Sequence, residues 1–214
     1  MPTDTTVTTD TTPTRVTADF WIDPACPWAW VTSRWMLEVQ QVRPVDVRWH
    51  VMSLAVLNDG KPDLPDWYDA LRPQLWAPVR LIIAAEQQHG GEVVLPLITA
   101  LGTRFHHDKA PKERATYLAA LAEVGLPESL VEATEDPSYD DAVRASHEAG
   151  MSQVGNDVGT PVIAVDGVAY FGPIVTPIPR GDAAGRLWDG FRLLGSVEGV
   201  FEVKRGRTST PSFP

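Results

Sequence analysis

The sequence predicts an α/β fold in which a small sheet is interrupted by a long helical insertion. Three observations carry this. An apolar strand, a helix and a second strand follow one another between residues 17 and 53. A stretch punctuated by Pro and Gly comes next, with helical spacing and no strand signal. A hairpin signal at Asp166-Gly167 and a last amphipathic helix then restore the sheet pattern.

Residues 1–16 are Thr-rich and polar and read as a disordered tail. Thr17 to Ile22 reads as a short apolar strand, broken by Asp23-Pro24. Cys26 follows. Pro27 suits the first position of a helix, where its missing N–H would have no partner anyway. Trp28, Val31, Trp35, Val39 and Val42 recur at helical spacing. Trp30 and Leu37 add apolar surface off that stripe, so this helix is expected to be buried on more than one face. Pro44 ends it. Val45, Val47, Trp49 and Val51 alternate within a second strand, Val45 to Ser53. Such a strand–helix–strand unit closes as a right-handed crossover with parallel strands.

Helical stripes then follow at Leu75, Val79, Ile82 and Ile83, at Val94, Ile98, Leu101 and Phe105, and at Leu118 and Leu121. Glu128 to Thr134 and Ser138 to Gly150 read as two more helical pieces. Pro78 and Pro96 suggest helix starts or kinks, because an interior proline removes a backbone donor. Pro161 to Val165 and Val168 to Phe171 form the hairpin strands. Ala184, Leu187, Trp188, Phe191 and Leu194 mark the last helix, and Val200 to Val203 is expected to add a short strand. This is the element order of a thioredoxin-like fold. Residues 17–54 and 155–204 form the thioredoxin-like domain, 55–154 the all-helical insertion, and 205–214 a tail.

The 214 residues are 43% hydrophobic with eight Trp, enough for a sizeable core. A net charge of -10 repels polyanions, so nucleic acid is not an expected partner. The basic cluster of Lys204, Arg205 and Arg207 reads as a solvated tail. No apolar run reaches the ~20 residues of a membrane span. The N-terminus lacks a basic n-region and an apolar h-region, so a cytoplasmic location is expected and a membrane is not a partner.

One cysteine makes neither an intramolecular disulfide nor a cysteine-based zinc site. A lone Cys is usually a small buried hydrophobe. Position argues otherwise for Cys26. At a strand-to-helix turn the free N–H groups and the positive end of the helix favour thiolate over thiol. Thiolates attack disulfides, so Cys26 is the candidate nucleophile, with a pKa expected below the free value. Gly159-Thr160-Pro161 opens the third strand. On position alone, Pro161 reads as a plain trans proline at a strand end. A thioredoxin-like fold instead implies a cis Thr160-Pro161 bond facing Cys26, with the Thr160 backbone free to pair with a bound thiol or peptide. No metal site is expected at His106-His107, whose neighbourhood lacks further ligands; helix-end capping is the simpler role. No glycine-rich nucleotide motif occurs.

Cys26-Pro27-Trp28 after the first strand and Thr160-Pro161 before a hairpin, with helices between, resemble the DsbA-like family of thioredoxin-fold proteins. More narrowly, Asp19-Phe20-Trp21-Ile22-Asp23-Pro24, Thr32-Ser33-Arg34-Trp35, His50-Val51-Met52-Ser53-Leu54, Asp157-Val158-Gly159-Thr160-Pro161 and Phe171-Gly172-Pro173 are similar to the actinobacterial mycothiol-dependent nitroreductase group. The similarity runs from about Asp19 to Arg207. It implies a cytoplasmic thiol-dependent oxidoreductase with no tightly bound cofactor. Mycothiol or another small thiol would be co-substrate, and small electron-poor (nitro)aromatic compounds or disulfides the substrates. A second copy of the chain is a further candidate partner. By the same resemblance, Pro27, Trp28, Asn58, Tyr68, Thr160 and Pro161 line the thiol and substrate site. His106 matches a family histidine that would serve the thiolate as acid or base.

The chain departs from the family's C-x-x-C pattern: Ala29 stands at the resolving position. Three readings stay open. The enzyme works as a monothiol resolved by a small thiol from solution; the alanine is an engineered trap; or redox chemistry has been left behind. The last would make the chain a thiol transferase or isomerase related to kappa-class glutathione transferases, or a non-catalytic thioredoxin-fold binding module.

Overall fold

The computed structural model describes residues 15–62, 64–65 and 67–213. The tail expected at residues 1–16 therefore lies almost wholly outside the described residues. Four strands form one sheet in the order β2-β1-β3-β4. Strand β1 (Val16–Ile22) pairs in parallel with β2 (Val45–Val51), Phe20 opposite Trp49. It pairs antiparallel with β3 (Val162–Val165), Phe20 opposite Ile163, and β3 pairs antiparallel with β4 (Val168–Phe171). The crossover from β1 to β2 is helix α1 (Pro27–Val42), as the strand–helix–strand pattern requires. The β3–β4 turn has positive φ at both Asp166 (54°) and Gly167 (82°), the backbone twist that a two-residue hairpin needs.

The strand period of two decides what each face meets. Ala18, Phe20 and Ile22 belong to one core with Trp35, Met36 and Val39 of α1 and Trp188 of α7 (Gly181–Gly195). Trp35 and Trp188 approach with ring centroids 6.4 Å apart, and Trp35 Nε1 donates to the Ala184 carbonyl at 3.2 Å. Trp21 faces the other way, in a smaller cluster with Met52, Val162 and Met151 of α6 (Asp140–Met151). The sheet thus lies between α1 and α7 on one side and α6 on the other.

Between β2 and β3 come α2 (Leu54–Leu57), α3 (Trp67–His89), α4 (Val94–Gly102), α5 (Arg114–Glu123) and α6. The expected stripes fall on α3, α4 and α5. Helix α4 runs on into a π-helical turn, Thr103–His107. Two expectations need correction. Pro78, with Pro73, lies inside α3 rather than at a start; fully buried Val79, Leu81 and Ile82 beside it bring packing that outweighs a lost backbone bond. Pro96 does sit in the first turn of α4. Glu128–Glu135 is helical as expected, wound as a 3-10 helix. Val200 to Val203 forms no strand: it meets β4 through Tyr170 OH, which donates to the Val200 carbonyl at 2.8 Å, and has no ladder partner.

Helix α1 docks on the insertion through Trp30. The ring lies directly against Gly102 of α4, and a Cβ at that glycine would overlap it. Gly102→Ala is therefore expected to destabilise the protein by about 1–3 kcal/mol, since overpacking forces neighbouring side chains off their rotamers. Urea denaturation followed by Trp fluorescence measures it; an unchanged midpoint would mean that the α1–α4 contact is loose.

Candidate functional site

Cys26 is the N-cap of α1, and Pro27 takes the first helical position. The Ala29 N–H points at the Cys26 sulfur, 3.5 Å away. Across the site the Thr160-Pro161 bond is cis, and the Cys26 Sγ faces the Thr160 carbonyl at 3.9 Å. The alternative of a remote trans proline is thereby excluded. The Thr160 hydroxyl is buried without a hydrogen-bond partner among the described residues. Ala29 is fully buried one turn along, where a C-x-x-C motif would carry its second sulfur.

The expectation of an activated thiolate is not met in this conformation. Cys26 is only 7% exposed, and burial pushes the thiol up to about 11, with the charge of Asp23 acting the same way. The N–H groups of Ala29 and Trp28 and the guanidinium of Arg207 pull in the opposite direction, but burial outweighs them.

Asp23 was legible only as a strand breaker. It is in fact a fully buried carboxylate holding the turn in shape. Oδ1 accepts from the Ala25 N–H at 2.7 Å and Oδ2 from the Leu54 N–H at 2.6 Å. One side chain thus ties the loop before Cys26 to the start of α2. Burial raises its pKa to about 6 despite those two bonds. The sequence signal that could have found it is an acid following an apolar strand directly, two residues before a cysteine.

Asn58 and Tyr68 meet each other at the far end of α2. Asn58 Nδ2 donates to the Leu54 carbonyl and to Tyr68 OH, each at 3.0 Å, and Tyr68 OH donates to the same carbonyl at 2.8 Å. Their tie to the cysteine runs through Leu54 and Asp23, and Tyr68 lies near enough to feel the Asp23 charge. His106 sits in the π-helical turn, buried, with Nε2 2.8 Å from the Pro24 carbonyl. A carbonyl only accepts, so Nε2 carries the proton. Burial lowers this imidazole to about 4, which leaves it neutral. Its hydrogen bond goes to the loop before Cys26 rather than to the sulfur, a positioning contact. Trp28 is half-buried with the Arg207 guanidinium 5.1 Å above its ring. Thr32 Oγ1 donates to the Pro173 carbonyl at 2.8 Å, tying α1 to the loop after β4.

Residues 25–205 match the family described as Rv2466c-like, mycothiol-dependent nitroreductase Rv2466c. The uncharacterized protein Rv2286c of Mycobacterium tuberculosis is 29% identical over 198 residues, covering 90% of this chain and 83% of that protein. Among solved structures, a probable DsbA oxidoreductase, SCO1869 from Streptomyces coelicolor, superposes with a TM-score of 0.57 at 14% identity over 90% of this chain and 94% of that one. The cytosolic disulfide reductase DsbM from Pseudomonas aeruginosa with GSH gives 0.53 at 21% identity over 82% and 99%. These two carry the DsbA-like thioredoxin fold, and it is the fold that they share with this chain.

Two predictions follow from the geometry. The folded protein holds the Asp23 proton up to about pH 6, whereas the unfolded chain loses it near the ordinary carboxyl value of 3.8. Its contribution to stability is therefore full below the lower value and is lost as pH rises through the higher one. Relative to Asp23→Asn, wild type should lose on the order of 3 kcal/mol between about pH 4 and 7, read from urea midpoints; a constant gap would contradict a buried titrating carboxylate. Ala29→Cys should form an intramolecular disulfide with Cys26 on mild oxidation, seen as a loss of two protons in intact mass. A folded variant that keeps both thiols free would show that the two positions are misaligned.

Proposed function

This chain belongs to the Rv2466c-like family of mycothiol-dependent nitroreductases, and from that premise we propose that it is a monothiol reductase whose nucleophile is Cys26. It is a thiol-dependent oxidoreductase by family. The finer reading assigns mycothiol, or another small thiol, as co-substrate, and small electron-poor aromatics such as nitro compounds, or disulfides, as substrates, with a cytoplasmic setting. No helix among the described residues is long and apolar enough to cross a membrane. The observation that carries the proposal is the placement of Cys26 at the N-cap of α1, with its sulfur against the Thr160 carbonyl that precedes Pro161. The hydroxyl of the same residue, Thr160 Oγ1, is buried with no hydrogen-bond partner among the described residues, a polar group left for a ligand. That a DsbM structure was determined with GSH supports a small thiol as co-substrate.

The chemistry balances with one cysteine. Cys26 and a first thiol molecule join as a mixed disulfide, releasing two electrons and two protons. A nitro group that takes both becomes a nitroso group and water. The thiolate of a second thiol molecule then attacks the mixed disulfide at the sulfur of the first, expelling Cys26 as thiolate. The small-molecule disulfide leaves, and Ala29 takes no part. Trp28 offers a flat face to an aromatic substrate. Asp23 and His106 hold the loop before Cys26 without contacting the reacting atoms.

Cys26→Ser should abolish thiol-dependent reduction of a nitroaromatic probe, a fall of about a thousandfold or more given the role of an activated nucleophile. Wild type should consume thiol and release its disulfide as the probe is reduced. Thiol recovered covalently attached to the probe would instead make the chain a transferase. Equal behaviour of Cys26→Ser and wild type would leave a binding module.

A further inference from the structure

Residues 207–213, which the composition assigns to a solvated tail, lie across the site. Arg207 stacks on Trp28, and its charge reaches the Cys26 sulfur. Six residues later the Phe213 ring lies 5.4 Å from the His106 ring, tilted by 32°, and 5.9 Å from that of His107. His106 in turn bonds the Pro24 carbonyl, two residues before Cys26. The segment therefore starts over the residue after Pro27 and ends over the histidine that braces the loop on the other side.

Its attachment is slight. It forms neither helix nor strand. Among the described residues its hydrogen bonds converge on one side chain in the loop after β4, Thr176, whose Oγ1 donates to the Thr210 carbonyl at 3.4 Å and accepts from the Ser212 N–H at 3.0 Å. Only Pro211 and Phe213 are half-buried among residues 207–213. The match to the family ends at residue 205, so this segment lies outside it.

We propose that residues 207–213 are an internal occupant of the Cys26 site: a C-terminal strap whose Phe213 ring fills the aromatic slot over His106 and His107 and whose Arg207 covers Trp28. An aromatic substrate must displace it. This rests on Cys26 being the reacting group. Two features of the molecule agree with it. The cysteine is shut from solvent, and the flat face of Trp28 is taken by a guanidinium that a substrate ring, or an anionic group upon it, would replace. The bound strap holds the thiol closed, and its release leaves the same sulfur at an open helix N-terminus.

The test is alkylation of Cys26 by iodoacetamide, compared between the full chain, a chain ending at Gly206, and the full-length variants Phe213→Ala and Arg207→Ala. Alkylation at a site that is open only part of the time slows by the open fraction, so truncation should accelerate it about tenfold or more. Phe213→Ala should accelerate it by a smaller factor. A synthetic peptide of residues 207–214, added to the truncated chain, should slow alkylation again. Rates within about twofold across all forms, whether all slow or all fast, would overturn the strap. Should the truncated chain fail to fold by circular dichroism, unchanged rates in both substitution variants would overturn it equally. The outcome is separable from the reductase reading. Faster alkylation without any thiol consumption would keep the strap and end the reductase; turnover with alkylation unmoved would do the reverse.

Discussion

The Asp23 carboxylate is the interaction on which the site depends. Two oxygens on one short side chain accept from Ala25 and from Leu54, and so join the β1–α1 turn to the segment leaving β2. Those two segments end neighbouring parallel strands, and in such sheets ligands bind at the carboxyl ends of the strands. Without the carboxylate, two part-buried N–H groups would lose their partners, a penalty of about 1 kcal/mol each. The turn that presents Cys26 would lose its fixed distance from α2, and with it from Asn58 and Tyr68. His106 braces the same turn from the π-helical side through the Pro24 carbonyl. Wider π turns recur where a helix must aim a side chain off its regular register.

Two forces compete at the sulfur. The helix N-terminus favours a negative charge, whereas burial disfavours any charge. In the closed arrangement burial prevails, and the thiol stays protonated. The same sulfur would titrate lower once water or a polar ligand reaches it, because the Ala29 N–H stays in place whatever covers the mouth of the site. The turn alone therefore does not make this sulfur a thiolate in the closed arrangement.

Much of the fold was legible in the sequence. The alternation in β2, the helical stripe after Pro27, the Asp166-Gly167 turn and the absence of strand pattern through the insertion all correspond to observed elements, because period and turn chemistry are local. The misjudged places are those where tertiary contact overrides local preference. Pro78 stays helical because its neighbours are buried, and Val200 to Val203 meets β4 through the Tyr170 side chain rather than through a backbone ladder. At the site, Cys26 and Thr160-Pro161 were found from position and from resemblance. Asp23 and Phe213 were not, since nothing local to either residue says that it is buried or faces a histidine.

The sequence by itself determined the strand–helix–strand unit, the cysteine at a helix start, and the absence of a second thiol, all of which depend on the order and spacing of residues along one stretch of chain. Only the tertiary structure decided that Asp23 bridges two strand ends and that the C-terminal residues lie over Trp28 and His106. The physical reason is the range of the forces involved. Helix and turn preferences act over a few residues, whereas desolvation of a thiol or a carboxylate is set by whatever the rest of the fold brings within a few ångströms.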